Sequence, residues 1–303
     1  MSSRSAALIA LLPVAGLLLT GCNVVTGGRS AASDTQEAAP VSPGAESFAL
    51  APFAGEVGMG VSYLQTRVAD LKEAVDALVL AIESENLDAA KRAYYEARAP
   101  YEEIQVMAPV FPELDLSIDG RASDFDGGEL SDEFRGFHRI ESFLFARENT
   151  KSAIPYALEL VEDVDELQMI FADRGLFDAE TTFEALVVRC DELASRTITS
   201  EEETWSDQTL LVIKHAWTGI HSQYRHFGRD LREKDVVLAE RLDRVYRQAM
   251  ELIAADFPMG QTEGGPYTLV DRAKRRRIAD ASIKLRLHIQ KAREVLELVP
   301  TDV

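Results

Sequence analysis

The chain has 303 residues, 46% of them hydrophobic, with 51 acidic against 32 basic side chains and a formal net charge of −19. That acidity argues against nucleic acid and other polyanions as partners. It favours cations or cationic partners, or simply a solvated acidic surface.

The N-terminus reads as a targeting segment. Arg4 is the only charge ahead of a small and apolar run from Ala6 to Leu19, too short to span a bilayer and proportioned like a signal-peptide core. It ends in Leu19-Thr20-Gly21-Cys22, which resembles a bacterial lipobox, so the mature chain is expected to begin at an acylated Cys22. The alternative is a plain secretory signal with a chance cysteine. Removing residues 1–21 takes away one Arg and no acid, leaving a charge of −20. Residues 22–47, rich in Ala, Ser, Gly and Pro, read as a flexible tether. The expected domains are therefore a lipoprotein signal peptide at 1–21, the tether, and a folded part at 48–303 of about 255 residues, long enough for a sizeable core. The only other cysteine, Cys190, lies in the apolar-periodic FEALVVRCDELA, which predicts a buried, inert thiol.

From Phe48 onward the pattern is helical. Val61, Leu64, Val68, Leu71, Val75, Leu78 and Ile82 recur at three and four, with Asn86 as a stop. A second helix runs from Leu87 to about Phe111, with a kink near Ala99 before Pro100. Residues 112–130, rich in Pro, Gly and Asp, read as a loop. Helix resumes at Ser131 as N-cap. Further helices are predicted at about 153–174, 179–198, 205–232, 235–257 and 270–298, with a second loop at PMGQTEGGPYT. No stretch alternates as a strand, so the fold class is all-α, two packed helical bundles without a sheet.

Within the helix after Ser131 lies GFHRIE, Gly136 to Glu141. His138 and Glu141, three apart, share one helix face and can hold one metal ion together, although such a pair is often only structural. The HExxH and HxxEH zinc-protease motifs need a second histidine where Ser142 stands. Oxygen donors abound nearby in sequence: Tyr101, Glu102 and Glu103 after Pro100; Asp115 and Asp119, with Arg121, in the polar segment; and Glu201, Glu202 and Glu203 before Trp205. Carboxylates joined to one His make a hard site that suits iron or manganese. Each acidic cluster is also explained as solvated acid at a helix start. His215, His221 and His226 are six and five apart, share no helix face, and read as packing and surface residues. The last helix is basic, with Arg272, Lys274, Arg275, Arg276, Arg277, Lys284, Arg286, Lys291 and Arg293. It reads as packing across the acidic body through ion pairs, with anionic lipid as the alternative surface.

Taken in order, ARAPYEEIQVMAP, FPELDLSIDGR, GFHRIE, ITSEEETWSDQTLLVIKHAWTG and GGPYTLVDRAKRRRIADASIKL resemble the imelysin family, more narrowly its EfeO/EfeM type of periplasmic iron-uptake lipoprotein. The likeness covers residues 57–298 and is closest to the short EfeM form without a cupredoxin domain. It implies an all-helical fold of two bundles and a metal site formed by His138, Glu141, Glu102 and Asp119, with Arg121 holding the loop or a carboxylate. Tyr101, Gln105, Asp115, Glu201 and Glu202 are weaker candidates. Gln105 stands where the family has a second Glu, and Thr209, Val212 and Ala216 stand where it tends to have Asp, Asp and Asn. These departures imply a site that is weaker, altered in preference or lost.

The function expected is a lipid-anchored extracytoplasmic iron-binding protein that captures the ion and passes it to a membrane permease. A haem peroxidase of the same uptake system is a further partner implied by the resemblance. Ferrous or ferric iron, zinc and copper stay open as the ion. The alternatives are a surface metallopeptidase using the same site and a metal-free adhesion or interaction module. The first is not carried over, because no nucleophile or placed general base is evident.

Overall fold

The computed structural model describes residue 48, residues 51–196 and residues 203–298. The signal segment, the tether with Cys22, and Glu201 and Glu202 lie outside the described residues. Those described form helices and turns with no strand among them, in agreement with the all-α expectation.

Helix α1 (Ala54–Glu83) buries Val57, Val61, Leu64, Val68, Leu71, Val75, Leu78 and Ile82 along one stripe. Each such side chain contributes about 1.5–3 kcal/mol by leaving water. Helix α2 (Leu87–Ile104) starts at Asn86, whose side-chain oxygen accepts the Ala89 N–H at 3.0 Å. Asn86 thus caps the next helix instead of merely stopping α1. Pro100 sits inside α2 without ending it. Its missing N–H removes one backbone bond, yet Ala99, Pro100 and Tyr101 are all buried, and packing holds the turn. The expected break near Ala99 falls instead at Gln105, where the chain tightens into a narrower helical segment ending at Val110.

The polar segment expected as one loop is half helix. Pro112–Asp119 forms α3, with Pro112 in the first turn, where its missing donor costs nothing. Leu114 and Ile118, four apart, bury its inner face. The loop proper runs over 120–135 in short tight turns. Helix α4 (Gly136–Glu141) begins later than the predicted Ser131, whose hydroxyl instead accepts the Glu133 N–H at 3.2 Å in a turn. A wider π-type turn, Ser142–Ala146, follows α4, a distortion frequent at functional sites.

Helices α5 (Thr150–Ala172), α6 (Ala179–Arg196), α7 (Thr209–Tyr224), α8 (Gly228–Lys234), α9 (Val236–Ile253) and α10 (Arg272–Val295) complete the fold. The helix predicted from 205 to 232 starts at Thr209 and is interrupted by a tight turn at Arg225–Phe227. One group of helices has α1 packed along α2 and α5; the other has α10 packed along α6 and α9. They meet where α2 lies on α7. Gly219 of α7 is required at that meeting, since a Cβ there would stand 2.5 Å from the Glu103 carbonyl oxygen.

Cys190 is fully buried, and burial pushes its thiol well above the usual range. The basic α10 does form ion pairs with α6: Arg286 to Asp191 at 2.8 Å and Arg293 to Glu180 at 3.5 Å. Among the described residues no helix is long and apolar enough to cross a membrane.

Candidate metal centre

Helix α4 is seated by its first residue. Gly136 adopts φ +72°, and a Cβ there would lie 2.2 Å from the Ile118 carbonyl and 2.4 Å from that of Ser117. Only glycine tolerates both the left-handed backbone and that approach. The contact sets the start of α4 against the end of α3, so that His138 of α4 faces Asp119 of α3. Arg139 points the other way, over the rings of Phe134, Phe143 and Tyr156. Arg135 pairs with Asp163 of α5 at 2.8 Å.

His138 is buried, with Nδ1 3.0 Å from Glu141 Oε2. A ring nitrogen facing a carboxylate carries the proton, which leaves Nε2 as the ligand atom. Nε2 lies 3.4 Å from Asp119 Oδ1 and has no hydrogen-bond partner. That separation suits two donors to one ion, each at about 2.1 Å from it. Glu141 Oε1 accepts the backbone N–H groups of Trp205 at 2.9 Å and Ser206 at 2.7 Å. Both donors lie ahead of α7, so the Glu141 carboxylate ties the segment before α7 to α4.

That segment carries Glu203, the ligand candidate that the sequence reading placed only in a general acidic cluster. Glu203 is buried and accepts from Ser206 Oγ at 2.6 Å and from the Tyr94 hydroxyl at 3.2 Å. Residues 203–208 are clamped to the second loop. Gln208 exchanges two hydrogen bonds with Gly264 at 3.1 and 2.8 Å, and Asp207 accepts from Thr268 N–H at 2.9 Å. Donor atoms of His138, Glu141 and Glu203 lie within 4.8 Å of one another, all three residues buried.

The centre also contains a cation that the sequence reading left unassigned. Arg98 of α2 is buried and pairs with Glu102 at 2.5 Å, with Glu203 at 2.9 Å and with Asp119. Its position three residues before Tyr101 in ARAPYEE was the available signal. Glu102 is held from its other side by Arg189 of α6 at 2.7 Å, which places it between two guanidiniums. Gln105 donates to Asp119 Oδ2 at 2.7 Å and to Asp115 Oδ1 at 3.1 Å, and the Tyr101 hydroxyl donates to the same Asp115 oxygen at 2.6 Å. Arg121 lies close enough to help hold Asp119 ionised. Thr209, Val212 and Ala216 are buried within α7.

Charge explains the protonation pattern. Burial opposes ionisation of Asp119 and Glu141. Arg98 and His138 nonetheless pull Asp119 well below the usual carboxylate range, and His138 with the two backbone donors lowers Glu141. Burial opposes protonation of His138 too, but Asp119 and Glu141 win and raise it. Glu203 loses the contest: burial and the neighbouring Glu141 charge push it up to about 8. Asp115, desolvated and beside Asp119, rises to about 6. Near neutral pH Asp119 and Glu141 thus stay ionised against Arg98, His138 is shifted towards its protonated form, and Glu203 holds its proton.

A second polar group sits where α1, α2 and α7 meet. Glu103 receives the Tyr63 hydroxyl on one oxygen and faces His215 Nδ1 at 2.7 Å with the other. His215 is therefore partnered inside the fold. His221 stacks flat on Tyr246, ring centroids 4.0 Å apart. Both fit the expectation of packing residues.

A peptidase-labelled family model described as Imelysin matches residues 61–291, from α1 into α10. The iron uptake system component EfeM of Pseudomonas syringae pv. syringae is 26% identical over 212 residues, covering 70% of this chain and 73% of that protein. The iron uptake system component EfeO of Escherichia coli is 31% identical over 166 residues, covering 55% of this chain and 44% of that protein. EfeO of Yersinia pseudotuberculosis is 34% identical over 175 residues, covering 57% and 45%. The chain thus spans less than half the length of these EfeO relatives. With the family match running across nearly the whole helical fold and through the GFHRIE centre, the chain belongs to the imelysin family.

Proposed function

We propose that the chain is an extracytoplasmic component of an iron-uptake system, tethered by lipid at Cys22, that captures an iron ion at the α4 centre and passes it to a membrane permease. The observation that carries this reading is the convergence of His138, Glu141 and Glu203 donor atoms within 4.8 Å in a buried setting. Asp119, 3.4 Å from His138 Nε2, is a fourth donor. The set has one nitrogen and otherwise oxygen, which suits iron better than a soft thiophilic ion. The EfeM and EfeO relatives, named as iron uptake components, point the same way. As named uptake components they support partners within such a system; the permease as recipient and a haem peroxidase as a further partner are part of the proposal.

Charge balance gives the capture mechanism. Binding a divalent cation requires His138 and Glu203 to release their protons. Protons leaving as positive charge arrives keep the net charge of the buried centre from rising by the full charge of the ion, which contains the desolvation cost. The Glu141–Trp205–Ser206 bonds keep the ligand loop ordered before the ion arrives. A cavity of about 200 Å³, lined by Gln105, Asp115, Arg189 and Glu192, leads from the surface to Gln105, which is bonded to Asp119.

A metal-free interaction module is the second reading, and Arg98 favours it. Its guanidinium already contacts Glu102, Asp119 and Glu203, as an ion would. Thermal unfolding of the purified chain and its His138→Ala variant, with ferrous, ferric, zinc and copper ions, separates the two. Free ion at about 100 times its dissociation constant adds about 2.7 kcal/mol to a protein with one site. Stabilisation of the parent alone supports capture. No shift in either chain supports the metal-free module.

A further inference from the structure

A cavity of about 360 Å³ lies away from the metal centre and shares no residue with it, where the end of α7 meets α8 and α9. The volume is in the range of small-ligand sites. Three arginines line it, Arg225, Arg232 and Arg247, against a single acid, Asp243. Among the described residues none of the three arginines forms an ion pair, in a protein that carries an excess of 19 acids. Elsewhere on this acidic surface basic groups do find partners, as Arg229 does with Glu233 at 3.2 Å.

The walls add two features that bare charge does not. The stacked rings of His221 and Tyr246, parallel to within 1°, form a flat face, and Leu231 and Leu242 supply apolar wall. Burial with the neighbouring arginine pushes His221 down to about 4, so this face is uncharged at neutral pH. Tyr224, 3% exposed, also lines the cavity, and its hydroxyl is buried without a hydrogen-bond partner. A buried O–H with no acceptor is unfavourable. An acceptor from a ligand would satisfy it.

We propose that this cavity binds a small organic anion with at least two negative charges on a flat apolar body. The arginines meet the anionic groups, Tyr224 donates to one of their oxygens, and the His221–Tyr246 face receives the body. Paired arginines hold carboxylates or phosphates through two-pronged hydrogen bonds. Asp243, the one acid in the wall, repels ligand charge placed beside it.

Titration calorimetry on the full chain tests this with phthalate, an aromatic dicarboxylate, and with inorganic phosphate, at about 0.1 M salt so that non-specific attraction is screened. Phthalate is expected to bind, and to bind at least tenfold more tightly than phosphate. The Arg232→Gln/Arg247→Gln double variant should lose at least tenfold in phthalate affinity, and Tyr224→Phe about threefold or more, the worth of one hydrogen bond. Arg229→Gln, a neighbouring charge outside the cavity, should leave affinity unchanged. Absence of phthalate binding, phosphate binding as tightly as phthalate, or equal losses in Arg229→Gln and the double variant would each overturn the proposal. None of these readouts involves a metal ion, so the result stands apart from that at the α4 centre.

Discussion

Gln105 donates its side-chain N–H to Asp119 Oδ2 at 2.7 Å, and the same nitrogen reaches Asp115 at 3.1 Å. The residue that departs from the family pattern thus bridges two carboxylates through its amide nitrogen, while its buried amide oxygen has no hydrogen-bond partner. Gln105→Glu would replace that donor with a third carboxylate facing the other two. We expect the metal-free protein to lose about 2 kcal/mol at neutral pH, the scale of a buried hydrogen bond turned into repulsion. Added iron should recover most of it, because a cation relieves the excess charge. Urea denaturation with and without ion measures both. A variant as stable as the parent without metal would show that the bridge contributes little.

Arg98 makes the opposite prediction. Arg98→Met leaves Glu102, Asp119 and Glu203 without their shared cation. Removing one partner from a buried ion network costs about 3–5 kcal/mol. The ion should then stabilise the variant more than it does the parent, since it takes over the role of the guanidinium. Equal ion-induced shifts in melting temperature for the two proteins would show that Arg98 and the ion do not compete.

Gly136→Ala tests the seating of α4. The new methyl meets the Ile118 and Ser117 carbonyls, and the backbone is left-handed. A strained residue of this kind costs about 1–3 kcal/mol before the clash is counted. Stability should fall by at least that much, and metal affinity should fall with it because His138 moves relative to Asp119. Affinity that survives a large loss of stability would mean that the ion does not depend on this register.

The pH dependence follows from the protons held at the centre. Glu203 is an acid raised from 4.5 to about 8, so the folded state binds its proton more tightly than the unfolded chain. Stability of the metal-free protein must fall as pH climbs through that window. His138 is raised too; its contribution is present below its ordinary value of 6.5 and is lost as pH rises through its folded value. Asp119 and Glu141 are lowered, so their contribution is present at neutral pH and is lost as acid protonates them, below their ordinary values of 3.8 and 4.5. The metal-free protein is therefore expected to be most stable in weak acid. Metal affinity should move the other way and rise towards pH 8, because the ion competes with the Glu203 and His138 protons. Calorimetry in buffers of different ionisation enthalpy counts the protons released. Affinity that is flat between pH 6 and 8 would remove both residues from the ligand set.

The helical class, most helix bodies and the His138–Glu141 pair were legible in the sequence, because apolar spacing and side chains three apart on one helix are local properties. Val61 to Ile82 specify α1 unaided, and GFHRIE sets its two donors on one face. Local signals misled where tertiary packing overrode them. Pro100 is tolerated because its neighbours are buried, Pro112–Asp119 folds as helix under Leu114 and Ile118, and α4 starts at Gly136 because its backbone must pass the α3 carbonyls. What only the tertiary structure decided is which distant charges meet. Glu203 joins His138 across 65 residues of chain because the 203–208 segment is bonded to Glu141 and to the second loop. Glu102 is drawn towards Arg189, and Arg98 sits among three carboxylates. A carboxylate looks the same in any helix of an acidic chain. Its role as ligand, counter-ion or proton store is set by burial and by the charges brought within a few ångströms, and those come from packing between helices that no local pattern encodes.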